Sequence, residues 1–600
     1  MSVFNYKNYT SSESKDLFND AMALTQYKIG GSWAPINANQ LGYHGPVDLQ
    51  GIFTGRGAAP TADALVMGKY EDGNLIGIGI SFRGTGVGDT PRDSVGDNIS
   101  NALTAISENY AKDYVKHAFD DLLRDIARYA QSQGLNSNQI LVTGHSQGGN
   151  GVNSLAVLSA DNWGGFYKNS NYVAFASPTQ SPGAQVLNIG YENDPVFRVL
   201  DGTTLNYTTS LGIHDKPQLS ATNNIVSFND KYVSLQDNSW AGNLGLVVGS
   251  AATVLAPNTS GLWGEVAKVT SALLGQQSIT NPDSWKAHYI EEYTDGLNRL
   301  IDSEFYDLTH KDSTIIISNL SDGKRADTWV EDLNKFAEKH TGSTFIIGST
   351  YNDLLKGGSG NDYIEGGGGD DTFRDGGGYN ILLGGDGLNT IQLQKSVKDF
   401  SFANDGNGTL YIKDAYGGIS MTRDIEILTS TESKSQKYWF FGDRSFDWTE
   451  SATYHLTDYG LRNGDDFTQY ASSVKGDADN NVIKAGAPGD WLFGQAGNDL
   501  LLGGKGNHHF IGGTGNDRMV SGGGYDNFLF YDNFGNDTIE GFTIGDKLVF
   551  QGIEDIGINY DYHSYVSTDH GDTLLSFGAD SVRLVGVGLD QLSSGNVIIC

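Results

Sequence analysis

Apolar residues recur along the first part of the chain with two different periods. Between Leu75 and Arg83 the run LIGIGISFR alternates and then becomes continuously apolar, which predicts a strand buried in a sheet. From Tyr110 to Gln133, the residues Tyr114, Ala118, Leu122, Ile126 and Tyr129 fall at helical spacing, and Gly134 follows as a stop. A short apolar run, Ile140 to Thr143, comes next and leads directly into Gly144-His145-Ser146-Gln147-Gly148-Gly149. Strand, helix and strand in this order predict a parallel sheet with crossover helices.

From Gly348 the period changes to nine: GSTYNDLLK, GGSGNDYIE, GGGGDDTFR, DGGGYNILL and GGDGLNTIQ follow one another. A second block keeps the same step from Gly476, with GDADNNVIK, AGAPGDWLF, GQAGNDLLL, GGKGNHHFI, GGTGNDRMV and SGGGYDNFL. The pattern G-G-x-G-x-D-x-U-x resembles the RTX nonapeptide. Glycines permit positive φ in the turn, the sixth residue offers a carboxylate to calcium, and the eighth turns an apolar side chain inward. One repeat buries almost nothing, so stacking into a β-roll is expected. The sixth-position carboxylates are Asp353, Asp362 and Asp371, then Asp490, Asp499, Asp517 and Asp526. Repeats two apart share a face, which makes Asp353 with Asp371 and Asp499 with Asp517 the fully acidic pairs and the best calcium sites. Asn380, Asn389, Asn481 and His508 hold the same position elsewhere and should weaken their rungs. A flexible glycine linker would have no reason to hold a register of nine.

Composition supports this division. Six hundred residues exceed one hydrophobic core, so a catalytic domain over 1–340 and a repeat domain over 341–600 are expected. Eighty glycines against eleven prolines fit a periodic glycine pattern. A net charge of −33 argues against nucleic acid and anionic membrane as partners and favours cations. Cys600 is the single cysteine, so no disulfide forms within the chain. The N-terminal MSVFNYKNYTSSESKDLFND lacks the basic and apolar regions of a Sec signal, and no apolar stretch is long enough for a transmembrane segment.

Gly144-His145-Ser146-Gln147-Gly148 is a G-x-S-x-G pattern after a strand, the context of a nucleophile elbow; the alternative is a tight structural turn. A serine hydroxyl needs a histidine to accept its proton and an acid to fix the tautomer. His214, His288, His310 and His340 follow before the repeats, and the pattern alone does not choose among them. Asp194, in Gly190-Tyr191-Glu192-Asn193-Asp194-Pro195, fits a loop after a strand, and Asp201 competes with it. An oxyanion hole would take the N–H of Gln147, and the loop Phe82-Arg83-Gly84-Thr85-Gly86 is a candidate for the second donor.

These segments resemble the family I.3 bacterial lipases exported by type I systems. The resemblance is carried by LGYHGPVDLQGIFTG, ISFRGTG, RDSVGDNI, GHSQGGN, VLNIGYENDPVFRVLDG, EFYDLTHKDSTIII, the repeats and DSVRLVGVG, and it spans nearly the whole chain. It implies an α/β hydrolase-like N-terminal domain followed by a parallel β-roll and a β-sandwich-like C-terminal domain. The family triad falls on Ser146, Asp194 and His288, and the FRGT loop, similar to that of fungal-type lipases, points to Thr85 as an oxyanion donor. A calcium in the catalytic domain is implied at Asp93 and Asp97, beside a helical lid spanning about 88–108, with Asp63 at a third ligand position where the family would have glutamine. An exposed helix face is the other reading of Asp93 and Asp97.

One departure stands out: only Lys28-Ile29-Gly30-Gly31-Ser32 separates Tyr27 from Trp33, where the family carries a long lid-forming insertion. A more open site would admit polar lipids, so phospholipase A1 or esterase activity stands beside lipase activity. The C-terminal VRLVG and NVIIC resemble an uncleaved signal for the type I (ABC) secretion machinery, which implies a secreted, extracellular protein. A monomer acting on lipid or ester substrate at an interface is expected, with Ca2+ as cofactor. The competing classes are a calcium-dependent RTX adhesin, which the repeats alone would fit, and a zinc peptidase, which the lack of H-E-x-x-H disfavours.

Overall fold

The computed structural model describes residues 3–27, 30–56, 62–83, 108–181, 185–194, 196–197, 224–237, 286–311, 313–333, 343–437, 445–556 and 560–600. The chain divides into two compact units, Val3–Ile301 and Asp302–Cys600.

The first unit is an α/β fold. Helix α1 (Ser11–Thr25) opens on a capping box in which Thr10 and Glu13 satisfy each other's backbone N–H. The sheet runs β1 (Trp33–Pro35), β3 (Asp63–Glu71), β4 (Asn74–Phe82), β5 (Ile140–His145), β6 (Asn171–Phe175), β7 (Leu187–Ile189), and β2 (Phe53–Thr54) pairs with β3. The first pairings are antiparallel, and from β4 to β7 they are parallel. The parallel part requires crossovers, and helix α2 (Glu108–Ser132) supplies the one between β4 and β5. Its predicted stripe is the buried one: Tyr114, Ala118, Leu122 and Ile126 lie in the core with Ile78, Ile80, Ile140 and Val142. The helix bends at Phe119, where φ is −134°. Helix α3 (Gln147–Leu158) follows β5 and packs on β5 and β6. No helix among the described residues is long and apolar enough to cross a membrane.

The second unit is built from parallel rolls. Successive strands alternate between two sheets, and partners stand eighteen residues apart, as in Thr344 with Asp362, Leu354 with Thr372 and Trp491 with His509. Nine residues per half-turn therefore set the register. The eighth-position side chains Leu355, Ile364, Phe373, Leu382 and Ile391 of the first block are all buried, as are Ile483, Leu492, Leu501, Phe510, Met519 and Phe528 of the second. Strand Thr314–Ser318 pairs in parallel with Thr344–Ile347, and Trp329–Val330 with Leu354–Leu355, so the first roll begins upstream of the glycine repeats. Antiparallel strands separate the two rolls, among them the pair Ile427–Lys437 and Ser445–Thr457. The second roll continues through Lys547–Phe550 to Val597–Ile599 and is flanked by the antiparallel strands Val566–Asp569, Asp572–Phe577 and Asp580–Val585.

Candidate active site

Ser146 stands between β5 and α3 with φ 57° and ψ −122°, a conformation that L-residues avoid. The surrounding glycines explain how the chain tolerates it. A Cβ on Gly148 would lie 2.0 Å from the Phe82 carbonyl oxygen, and one on Gly144 would lie 2.6 Å from the Gly148 carbonyl. Strand, serine and helix thus approach more closely than any side chain permits. The Ser146 N–H donates to the Phe175 carbonyl at 3.0 Å, fixing the elbow to β6. Gln147 begins the helix, so its N–H has no acceptor within α3 and lies at the positive end of the helix dipole.

Residues far away in sequence converge on this hydroxyl. His288 Nε2 lies 2.9 Å from Ser146 Oγ, and His288 Nδ1 lies 3.0 and 3.1 Å from the two oxygens of Asp194. Asp194 is 2% exposed and His288 5%, so the ion pair that forms when the imidazole is protonated is shielded from water. The carboxylate is held in place: Oδ1 accepts the N–H groups of Val196 at 2.7 Å and Phe197 at 3.3 Å. Oδ2 accepts the Tyr293 hydroxyl at 2.7 Å, and that hydroxyl accepts the Tyr191 N–H at 2.9 Å. Tyr293 belongs to α4 (Ile290–Asp302), which starts just after His288, so one short segment carries both groups. Burial, then the Asp194 charge, raises the Tyr293 hydroxyl well above the usual phenol range, so it stays a donor. The His145 ring lies tilted on that of His288 at 4.7 Å, and burial pushes its imidazole down to about 3, so it remains neutral.

In the second unit the sixth-position side chains form ladders. Asp499 Oδ1 accepts the Asn481 N–H, Asp517 Oδ1 that of Asp499, and Asp537 Oδ1 that of Asp517, each at 2.7 Å. The other oxygens, Oδ2 of Asp499, Asp517 and Asp537, are buried with no hydrogen-bond partner, as is Asp371 Oδ2. Desolvation raises Asp371 and Asp537 to about 8 and Asp517 to about 6. Other rungs are already satisfied. Asp353 accepts Ser318 and Ser349 hydroxyls and faces Arg325 Nε at 3.3 Å. Asp362 Oδ2 accepts the Gly358 N–H at 2.7 Å, and Asp526 accepts His508 N–H and Ser521 hydroxyl, each at 2.7 Å.

The RTX calcium-binding nonapeptide repeat model matches residues 341–373, 475–509 and 509–528. Two lipases of Pseudomonas fluorescens are 43% and 40% identical to this chain over 413 residues, each match covering 58% of this chain and 79% and 83% of theirs. The crystal structure of extracellular lipase LipA from Serratia marcescens superposes with a TM-score of 0.84 at 40% identity, covering 100% of both chains. This chain belongs to the family I.3 RTX lipases. Its first unit is an α/β hydrolase and its second a calcium-binding parallel β-roll, and it is an ester hydrolase.

In this RTX lipase the unpartnered oxygens of Asp371, Asp499, Asp517 and Asp537 are what a calcium site requires of its side chains. Among the described residues no three acidic, histidine or cysteine side chains converge on one point. In a roll, backbone carbonyls of the turns would have to supply the remaining ligands. Among the residues singled out from sequence, Thr85, Asp93, Asp97, Asp201, His214, His340 and the lid segment at 88–107 lie outside the described residues, as do Lys28 and Ile29. His310 lies in the second unit, where its N–H donates to Ser313 Oγ at 2.8 Å. Asp63 begins β3 and faces Arg83 Nη1 at 3.9 Å, while burial raises its carboxyl above the usual range. Asp490 keeps one oxygen unpartnered, with its other on the Gly486 and Ala487 N–H groups. Sequence reasoning missed Tyr293, which no motif marks. It also missed Asp537 and Asp546, which continue the ladders after a step of twenty rather than eighteen residues. Gly535-Asn536-Asp537-Thr538-Ile539 repeats the local pattern and was the available signal.

Proposed function

We propose that the chain releases fatty acids from lipid esters through an acyl-enzyme, with Ser146 as nucleophile, His288 as general base and then acid, and Asp194 as its orienting carboxylate. The observation that carries this reading is the continuous hydrogen-bonded relay from Ser146 Oγ through His288 to Asp194. As Oγ attacks the ester carbonyl, its proton passes to His288 Nε2, and Asp194 stabilises the imidazolium that forms. The same proton then goes to the departing alcohol. A water enters by the reverse sequence, its proton taken by His288, and the freed acid leaves. The Gln147 N–H serves the oxyanion, with Thr85 as the second donor on the strength of the FRGT resemblance.

Asp371, Asp499, Asp517 and Asp537 would hold calcium in the roll, and the ion supplies the positive charge that makes their burial favourable. Asp93 and Asp97 are proposed as ligands of a further calcium in the catalytic unit, with Asp63, which Arg83 faces, at the third position. The C-terminal segment is proposed as the signal for the type I secretion machinery, delivering a monomer to the outside, where calcium is abundant.

A second reading, phospholipase A1 or esterase, rests on the short Lys28–Ser32 segment where family members carry a lid insertion. Fatty-acid release from emulsified triacylglycerol and from phospholipid vesicles separates the two. The mechanism is tested by Ser146→Ala, which should lower hydrolysis of p-nitrophenyl esters by about 10,000-fold or more with calcium-dependent folding intact. Retained hydrolysis would refute it.

A further inference from the structure

We infer that Tyr27 and Arg83 are positioning residues for the oxyanion hole: the Tyr27 ring holds the Arg83 guanidinium, and through it the start of the loop that carries the donor proposed at Thr85. The inference rests on the serine mechanism proposed above and gives a role to two side chains outside the triad.

The two proposed donors belong to different elements. Gln147 opens α3, whereas Thr85 stands two residues beyond Arg83, which itself follows β4. These elements meet at the elbow, where a Cβ on Gly148 would lie 2.0 Å from the Phe82 carbonyl oxygen and 3.2 Å from the Arg83 carbonyl carbon. The spacing of the donors therefore depends on how the chain leaves Phe82. Arg83 fixes that exit through its backbone and its side chain together. Its N–H donates to the Asp63 carbonyl at 2.9 Å, its Nη1 faces the Asp63 carboxylate at 3.9 Å, and its guanidinium carbon lies over the Tyr27 ring, 4.8 Å from the centre. A planar guanidinium suits this arrangement, because it can pair with a carboxylate at its edge and stack on an aromatic face.

Tyr27 is in turn tied to the catalytic elements. It ends a run of three residues, Thr25, Gln26 and Tyr27, each of which reaches a different one. The Thr25 and Thr143 hydroxyls lie 2.8 Å apart and join α1 to β5, the strand that enters the elbow. The Gln26 amide donates to Thr294 Oγ1, beside Tyr293 in α4. Tyr27 then takes a left-handed φ of 58° and meets Arg83. Glycine would make that turn without strain, so the tyrosine points to a use for its side chain. The end of α1 thus serves as a common footing for the serine strand, the histidine helix and the oxyanion loop.

The test uses the full chain in saturating calcium chloride. Hydrolysis of p-nitrophenyl esters gives kcat and KM, and an alkylboronic acid, whose tetrahedral serine adduct places an oxygen in the hole, gives the affinity for that state. Arg83→Ala and Tyr27→Leu should each lower kcat by about 100-fold, the loss expected when one oxyanion donor is out of place. KM should change by less than about threefold, and boronate affinity should fall in step with kcat. The double variant should be no slower than Arg83→Ala alone. Tyr27→Phe keeps the ring and should recover most of what Tyr27→Leu loses. Neither position belongs to the triad, so the acid limb of the kcat/KM profile should keep its midpoint. Circular dichroism checks each fold, and the Tyr27 pair carries the test alone if Arg83→Ala does not fold. Wild-type kcat in Arg83→Ala overturns the inference, as does a fall in kcat with boronate affinity unchanged, or a Tyr27→Phe chain as slow as Tyr27→Leu. A wild-type chain that boronate does not inhibit would instead remove the serine mechanism, and the inference with it.

Discussion

The hydroxyl of Tyr293 is the least expected part of the site, and Tyr293→Phe isolates it. The substitution leaves the ring, which lies 4.4 Å from that of Tyr191, and removes one oxygen. Two bonds go with it: the 2.7 Å bond to Asp194 Oδ2 and the 2.9 Å bond that satisfies the Tyr191 N–H. A hydrogen bond to a buried carboxylate is worth about 1.5–3 kcal/mol, and an orphaned buried N–H costs about 1–3 kcal/mol. The folded unit should therefore lose about 3 kcal/mol, which lowers Tm by about 5 °C for a unit of about 300 residues. Activity should fall much less. Val196 and Phe197 still hold Asp194 Oδ1, so only the loss of orientation reaches the transition state. An approximately tenfold drop in kcat corresponds to about 1.4 kcal/mol. Asp194→Asn, which permits the wrong histidine tautomer, should cost about 10,000-fold. The deciding assay is the double-mutant cycle on p-nitrophenyl ester hydrolysis. If Tyr293 acts through Asp194, the double variant is no slower than Asp194→Asn alone. Additive losses in kcat, or an unchanged Tm in Tyr293→Phe, would refute the reasoning.

Other outcomes follow from the same geometry. Gly148→Ala should destabilise the first unit by about 3 kcal/mol and abolish activity, since backbone blocks the new Cβ; denaturant unfolding at wild-type midpoint would contradict this. His145→Phe keeps a neutral ring against His288, so the acid limb of the kcat profile should keep its midpoint; a displaced midpoint would mean that His145 titrates in the active range. In the calcium-free roll, burial raises Asp371 and Asp537 to about 8 from the usual 3.8. An acid raised on folding favours the folded state below its unfolded pKa and loses that contribution as pH rises through the folded one. Far-ultraviolet circular dichroism without calcium should therefore report more β-structure at pH 5 than at pH 8.5. With limiting calcium the order should reverse, because protons compete for the same oxygens. A calcium-free signal that is flat over this range would count against the burial of these carboxylates.

What the sequence made legible was whatever depends on neighbours along the chain. The elbow at Ser146 is local, because a sharp turn between a β-strand and a helix needs small residues at Gly144 and Gly148. The roll is local as well, since a period of nine and an apolar eighth residue suffice to specify it. The relay is not. His288 is 142 residues from Ser146 and 94 from Asp194, and nothing near His288 distinguishes it from His310. Only the resemblance to a family of known triads selected it. Tyr293 was invisible for the same reason, since a tyrosine on an amphipathic helix reads as core. The upstream start of the first roll was missed because Thr314–Ser318 and Thr344–Ile347 pair without any glycine repeat to announce them. Asp537 and Asp546 were missed because an insertion of two residues breaks the step of nine.

The first ladder raises a further question, because its leading carboxylate, Asp353, belongs to a repeat yet meets a side-chain cation. Arg325 holds Nε 3.3 Å from Asp353 Oδ1, donates to the Leu320 carbonyl at 2.6 Å and lies 4.6 Å from the Tyr351 ring centre, so it is fixed from three directions. Both side chains are largely buried, at 11% and 0% exposed. A stacked array needs an end that closes without a following repeat. An internal guanidinium gives this roll an end whose charge is balanced before calcium arrives. The first turn should then stay folded without calcium and provide a template on which later rungs order as the ion binds. Removing one partner of a buried ion pair costs about 3–5 kcal/mol, so Arg325→Gln should convert this turn from calcium-independent to calcium-dependent. Amide hydrogen exchange reads the difference at the Ser349 N–H, which donates to Asp353 Oδ2 at 2.7 Å, and at the Asp353 N–H, which donates to Asp371 Oδ1 at 2.7 Å. In the wild type these amides should stay protected in chelator while those of Asn481 and Asp499 in the second roll lose protection; in Arg325→Gln all should exchange together. Equal exchange of both rolls in the wild-type chain would show that Arg325 does not close the array.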